Sequence, residues 1–129
     1  QWTIQQKLVP STRVTNENFG GAVRISPCSS YCVIASRFGS KVHVFLRSGT
    51  TWTESSILEH SSPITNDRFG FEMSYDGLNV LVGANGSNAT GEKSKGSVFV
   101  FNQLYTKTDG SGVKLLKSGN LNFTFFGIL

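Results

Sequence analysis

Apolar residues in this chain fall in short runs separated by Gly-, Asn-, Asp- and Ser-containing breaks. The clearest stretch runs from Phe69 to Phe101. It reads Phe69-Gly70-Phe71-Glu72-Met73-Ser74-Tyr75-Asp76-Gly77, then Val80-Leu81-Val82-Gly83-Ala84, then Gly96-Ser97-Val98-Phe99-Val100-Phe101. Three short apolar runs bounded by turn residues predict three consecutive antiparallel strands. Asp76-Gly77 predicts a tight hairpin turn between the first two, because Gly accepts the positive φ that such a turn demands.

The same pattern occurs earlier in the chain. Trp2 and Trp52, Leu8 and Leu58, Thr15-Asn16 and Thr65-Asn66, and Phe19-Gly20 and Phe69-Gly70 each stand 50 residues apart. After Phe-Gly the register slips by two, so Cys32-Val33-Ile34-Ala35 matches Val80-Leu81-Val82-Gly83. It slips again across the next loop, so Val42-His43-Val44-Phe45 matches Val98-Phe99-Val100-Phe101. A repeat of this length with four strand-like segments is the signature of propeller blades.

The unit resembles the FG-GAP repeat of integrin-α-type β-propellers and of related secreted and surface proteins. The residues that carry the resemblance are the Phe-Gly pair, Ser74 to Gly77, Leu81 to Ala84, Gly96 to Phe101, and the strand led by Trp52. The resemblance implies an all-β fold of two four-stranded antiparallel blades with flanking strands, a partial propeller. Residues 1–18 then close a preceding blade and connect onward, with Gln1 to Leu8 as its outermost strand. Residues 19–58 form blade one, residues 59–117 a connecting loop and blade two, and residues 118–129 the start of a further blade. Strands are expected at Phe19 to Ser26, Tyr31 to Ala35, Lys41 to Leu46 and Trp52 to Leu58, with Val113 to Leu116 as a fourth strand for blade two.

The chain has 129 residues, whereas four blades of about 50 residues, the smallest ring, need about 200. It is therefore expected to be a fragment of a larger propeller protein, with a ring completed from several copies as the alternative. It lacks an initiator Met and a recognisable signal segment, which fits a mature, excised or incomplete piece. No apolar stretch has the length of a membrane span.

Charge changes this picture little. The net charge is +4, but the basic residues lie singly, with Lys93 and Lys95 the nearest approach to a cluster. Nucleic-acid binding calls for basic residues concentrated on one face, so no nucleic-acid partner is expected.

Residues that carry chemistry are few. Cys28 and Cys32 flank the first hairpin turn, and both a disulfide across it and two free thiols fit that spacing. His43 occupies a strand position matched by Phe99, which reads as a packed histidine, and His60 lies in a polar loop. No Ser-His-acid set, nucleophile elbow or phosphate loop is recognisable, so no catalytic residue is assigned and the chain is not read as an enzyme. Integrin-type repeats often carry a calcium loop of alternating Asp and Asn residues. Calcium takes about six to eight oxygen ligands, and Asp76 and Asn79 in a minimal turn do not supply them. No metal site and no cofactor is assigned.

Asn85-Gly86-Ser87, Asn88-Ala89-Thr90 and Asn122-Phe123-Thr124 fit the N-glycosylation acceptor pattern. In the family, the loops joining strands two to three and four to one lie on one face and serve recognition. The matching segments are Arg37 to Ser40, Asn85 to Lys95, Val9 to Asn18 and Glu59 to Arg68, with Arg37, Asn85, Asn88, Glu92 and Lys93 as binding residues. The resemblance thus implies a non-catalytic extracellular or cell-surface recognition module with a protein or glycan ligand. A lectin-like propeller and the accessory propeller of a secreted hydrolase are the alternatives.

Overall fold

The computed structural model describes residues 1–60, 67–86 and 96–102 in full and the backbone of 104–107 and 113–116. Among these residues there is no helix. The strands are β1 (Phe19–Ile25), β2 (Tyr31–Ser36), β3 (Lys41–Ser48), β4 (Thr51–Glu59), β5 (Phe69–Tyr75), β6 (Asn79–Ala84), β7 (Ser97–Asn102), β8 (Leu104–Lys107) and β9 (Val113–Leu116). Sheet one takes β1-β2-β3-β4 in chain order, sheet two takes β5-β6-β7, and β8 pairs with β9 alone. Every pairing is antiparallel.

The internal repeat is reproduced in the ladders. Ile34 pairs with His43 and Cys32 with Phe45, as Val82 pairs with Phe99 and Val80 with Phe101. Both Phe-Gly pairs make the same turn. Asn18 and Arg68 take positive φ (54° and 56°), as do Gly20 and Gly70 (89° and 84°). Gly21 N then donates to Asn18 O, and Phe71 N to Arg68 O. The ladder shifts register just after each turn, between Phe19 and Val23 and between Phe69 and Glu72. A bulge there bends each first strand and re-aims its side chains.

The two sheets stack through one core. Val33, Ala35 and Val42 of sheet one meet Phe69, Met73, Val80, Val82 and Ala84 of sheet two. Three polar contacts flank it: Arg24 with Glu72, Arg37 Nη2 to Phe71 O at 2.9 Å, and Ser40 Oγ to Asp67 Oδ1 at 3.0 Å. The other face of sheet one carries Cys32, Ile34 and Phe45, packed with Phe19, Trp52 and Leu8. Strand β2 is covered on both faces, so Cys32 to Ser36 are all buried, which suits its continuous apolar run.

Two expectations are corrected. Gln1 to Leu8 forms no strand. A strand needs a neighbour to take its backbone hydrogen bonds, and no strand among the described residues pairs with it. The segment is instead held by side chains: Trp52 N donates to Gln6 Oε1 and Gln6 Nε2 to Trp52 O. Trp2 is 98% exposed, unlike half-buried Trp52. Val113–Leu116 pairs with β8 rather than β7, since closing the short connection 108–112 costs less entropy than a distant pairing.

The cysteines are free, Cys28 exposed and Cys32 buried. The hairpin closes on Ser26 and Tyr31, whose backbones bond at 2.9 Å. Cys28 therefore lies in the turn beyond the ladder, while Cys32 sits inside it opposite Ile25.

Candidate functional site

Residues 9–18 and 37–40, with the described residues 67–68 and 85–86 of the other two expected loop segments, meet at one end of the stack. Phe38 N donates to Glu17 O at 3.1 Å, tying 37–40 to 9–18. Ser40 ties the same loop to Asp67, and Gly86 N donates to Asp67 O at 3.0 Å. Asp67 is the centre of this arrangement. It is fully buried, and its Oδ1 also accepts from Phe69 N at 3.0 Å. Its Oδ2 has no hydrogen-bond partner among the described residues.

The expected binding residues fare differently. Arg37 is at this end, but its guanidinium is engaged: it donates to Phe71 O and lies 4.8 Å from the centre of the Phe71 ring. It holds sheet two rather than pointing at a ligand. Asn85 is exposed in the turn after β6. Asn88, Glu92, Lys93 and the third acceptor, Asn122, lie outside the described residues.

Phe38 was not singled out by sequence reasoning. It is 71% exposed at the tip of the β2–β3 loop. Its loop is fixed on both sides, since Gly39 N also donates to Ser36 O at 3.0 Å. An aromatic in a Gly-containing turn was the available signal, and strand periodicity gave no reason to weigh it.

His43 and Glu54 form the one described histidine–acid contact with both side chains largely buried. Nδ1 of His43 lies 2.5 Å from Glu54 Oε1, and Ser11 N donates to Oε2 at 2.6 Å. Phe19 packs edge-on against the imidazole, centroids 5.4 Å apart. This agrees with a packed histidine, although its acidic partner was not read from the sequence.

At the opposite end, Asp76 spends both carboxylate oxygens on its own turn. Oδ1 accepts from Leu78 N and Asn79 N at 2.7 and 2.6 Å, and Oδ2 from Asn79 Nδ2 at 2.9 Å. The Asn79 side chain and backbone, with Leu78 N, hold its pKa down at about 2. Gly77, with φ +99°, completes the turn.

The span from Trp52 through β4 and sheet two to Phe101 is what a known repeat family describes: the FG-GAP repeat model matches residues 52–101. Residues 52–101 are an FG-GAP repeat. This unit begins on the last strand of sheet one and ends on the last strand of sheet two, so the FG-GAP repeat straddles the stacked interface. No curated protein and no solved structure matches the chain. Strands β1–β3 share the turn, bulge and register of β5–β7 within the matched repeat.

Proposed function

We propose that the chain is a non-catalytic recognition module of an extracellular or cell-surface protein. Its two sheets act as neighbouring blades of a β-propeller, and it binds a protein or glycan ligand through the end that carries residues 37–40 and 85–86. The observation that carries this reading is Phe38, a large aromatic held in water on a rigid loop. Exposed aromatics on fixed supports are the usual anchors of binding surfaces, because they contribute much contact area at little entropic cost. His43 is fully buried and packed edge-on against Phe19, which keeps its imidazole from solvent and favours a module without catalysis. Exposed Asn85, within an N-glycosylation acceptor, supports the extracellular setting.

The test is binding of the purified chain to a glycan array and to a panel of extracellular matrix and cell-surface proteins. Phe38→Ala should abolish the strongest signal. Leu78→Ser, at the opposite end and 52% exposed, should leave it unchanged. Equal loss in both variants, or retention in both, would place the ligand elsewhere. Which panel responds decides between a protein and a glycan ligand.

A further inference from the structure

Residues 37–40 join β2 to β3 between Ser36 and Lys41, which pair across the hairpin. The last of them, Ser40, is left-handed, with φ +51°. Its twin in the repeat is Gly96, which precedes Ser97, the partner of Ala84, and is left-handed too, with φ +73°. Gly takes that conformation freely, whereas a Cβ crowds the following carbonyl. Sheet one therefore carries a strained residue at a position that sheet two fills with glycine.

What Ser40 has and Gly96 lacks is a hydroxyl. Ser40 Oγ donates to Asp67 Oδ1 at 3.0 Å, and Asp67, which leads into β5 of the other sheet, is fully buried. Asp67 also has a twin, Glu17, each standing two residues before the Phe of its Phe-Gly pair. The backbones of these twins act alike: Phe38 N donates to Glu17 O at 3.1 Å and Gly86 N to Asp67 O at 3.0 Å. The bond to Ser40 is an addition that crosses from one sheet to the other.

That bond controls where Phe38 points. Phe38 N is held by Glu17 O, and Gly39 N by Ser36 O. On the other side, Lys41 is fixed in the ladder opposite both Ser36 and Glu59. A rotation at Ser40 cannot move Lys41, so residues 37–39 must take it up. A return of Ser40 to negative φ would thus redirect the Phe38 ring, which is 71% exposed.

We propose that Asp67 is the positioning residue of the recognition end: through Ser40 Oγ it holds the left-handed backbone that aims Phe38. Strain of this kind persists only where the surrounding structure enforces it, and it gathers at binding sites. An anchor already held in its binding direction loses little further freedom on contact, so the latch favours one ligand geometry over others. Asp67 O fixes Gly86 as well, so both parts of that end take their position from a single residue. The inference rests on the reading of residues 37–40 and 85–86 as the binding end.

The test places para-fluorophenylalanine at position 38 and reads its surroundings by fluorine NMR in the free chain. Ser40→Ala keeps the Cβ and loses the bond, so the resonance should move. The Phe38 amide should then exchange about fivefold faster, the factor set by one hydrogen bond of ordinary net strength. Asp67→Ala should move the resonance to the same place, and the double variant no further, because both changes break one contact. Ser40→Gly reproduces the arrangement at Gly96, a left-handed backbone that needs no bond, and should return the resonance to its wild-type position. Should Asp67→Ala fail to fold by far-UV circular dichroism, the two variants of Ser40, which is only half-buried, decide alone. An unmoved resonance in Ser40→Ala overturns the proposal. So does a Ser40→Gly resonance displaced as far as that of Ser40→Ala. None of these measurements involves a ligand, which separates them from the binding panel. A latch that behaves as described, in a chain whose Phe38→Ala variant keeps its panel signal, would keep the positioning and remove only the recognition reading.

Discussion

Gly70 faces Ala35 across the two sheets so closely that a Cβ on Gly70 would lie 2.8 Å from the Ala35 Cβ. Its twin Gly20 has nearly the same φ, +89° against +84°, yet a Cβ there would meet nothing within 4 Å. The first glycine of each Phe-Gly pair therefore satisfies one shared requirement, a left-handed backbone. Gly70 alone satisfies a second, room for a neighbouring sheet.

The two glycines should respond differently to one methyl group. Gly20→Ala meets only the backbone penalty of positive φ, about 1 to 2 kcal/mol. Gly70→Ala meets that penalty and an overpacked interface, for a total of about 2 to 5 kcal/mol. Urea denaturation of both variants at one protein concentration measures the gap. Equal losses would show that the sheets do not approach each other at this point.

A similar asymmetry separates the phenylalanines. Phe69 is fully buried, between the rings of Phe99 and Phe101 at 5.4 and 6.0 Å and the opposing sheet. Phe69→Ala should cost about 3 to 5 kcal/mol. Phe19 occupies the twin position but is half-buried, against His43, Phe45 and the Leu8 cluster. Phe19→Ala should cost clearly less, since water already reaches part of the ring. A loss at Phe19 as large as that at Phe69 would count against the difference in covering described above.

The pairing of strands was legible from the repeat because spacing along the chain reports which side chains share a face. It does not report whether anything covers that face. Trp2 was for that reason expected to lie in a strand like Trp52, and the repeat that matches Phe19 with Phe69 is silent on their unequal burial. The site shows the same limit. Residues Arg37 to Ser40 were correctly read as a loop, but Arg37 reaches back to Phe71 and Phe38 does not turn inward. Those outcomes depend on the partner sheet, and no local pattern encodes them.

The thiols should be chemically distinct. The Ser26 hydroxyl, 3.2 Å from Cys28 Sγ, and the backbone of Ser30 favour the thiolate and bring its pKa down to about 7. Burial pushes Cys32 up to about 11. Iodoacetamide should therefore label Cys28 with a half-maximal rate near pH 7, because the thiolate is the nucleophile. Cys32 should stay unlabelled until the chain unfolds. Ser26→Ala should move the Cys28 midpoint upward. Simultaneous labelling of both thiols in the folded chain, or an unmoved midpoint in Ser26→Ala, would contradict this geometry.

The Glu54 carboxylate should set part of the acid sensitivity of the fold. Burial opposes its charge, but hydrogen bonds from His43 and Ser11 outweigh that and hold its pKa below the ordinary 4.5. An acid with a lowered folded pKa binds fewer protons folded than unfolded as pH falls past its ordinary value, so stability drops with pH there. The contribution is complete above 4.5 and is lost as pH falls through the lower folded value. Glu54→Gln keeps an oxygen to accept from Ser11 but carries no titrating charge. Its melting temperature should lie below wild type near neutrality, and the two curves should converge as pH falls below 4.5 and through the lower folded value. Asp76 and His60, whose pKa values are also lowered, lose stability in the same direction, but they do so in both proteins. The difference between the curves therefore isolates Glu54, provided protein concentration is held constant. Curves that stay parallel through the acid range would mean that the Glu54 charge contributes nothing to folding.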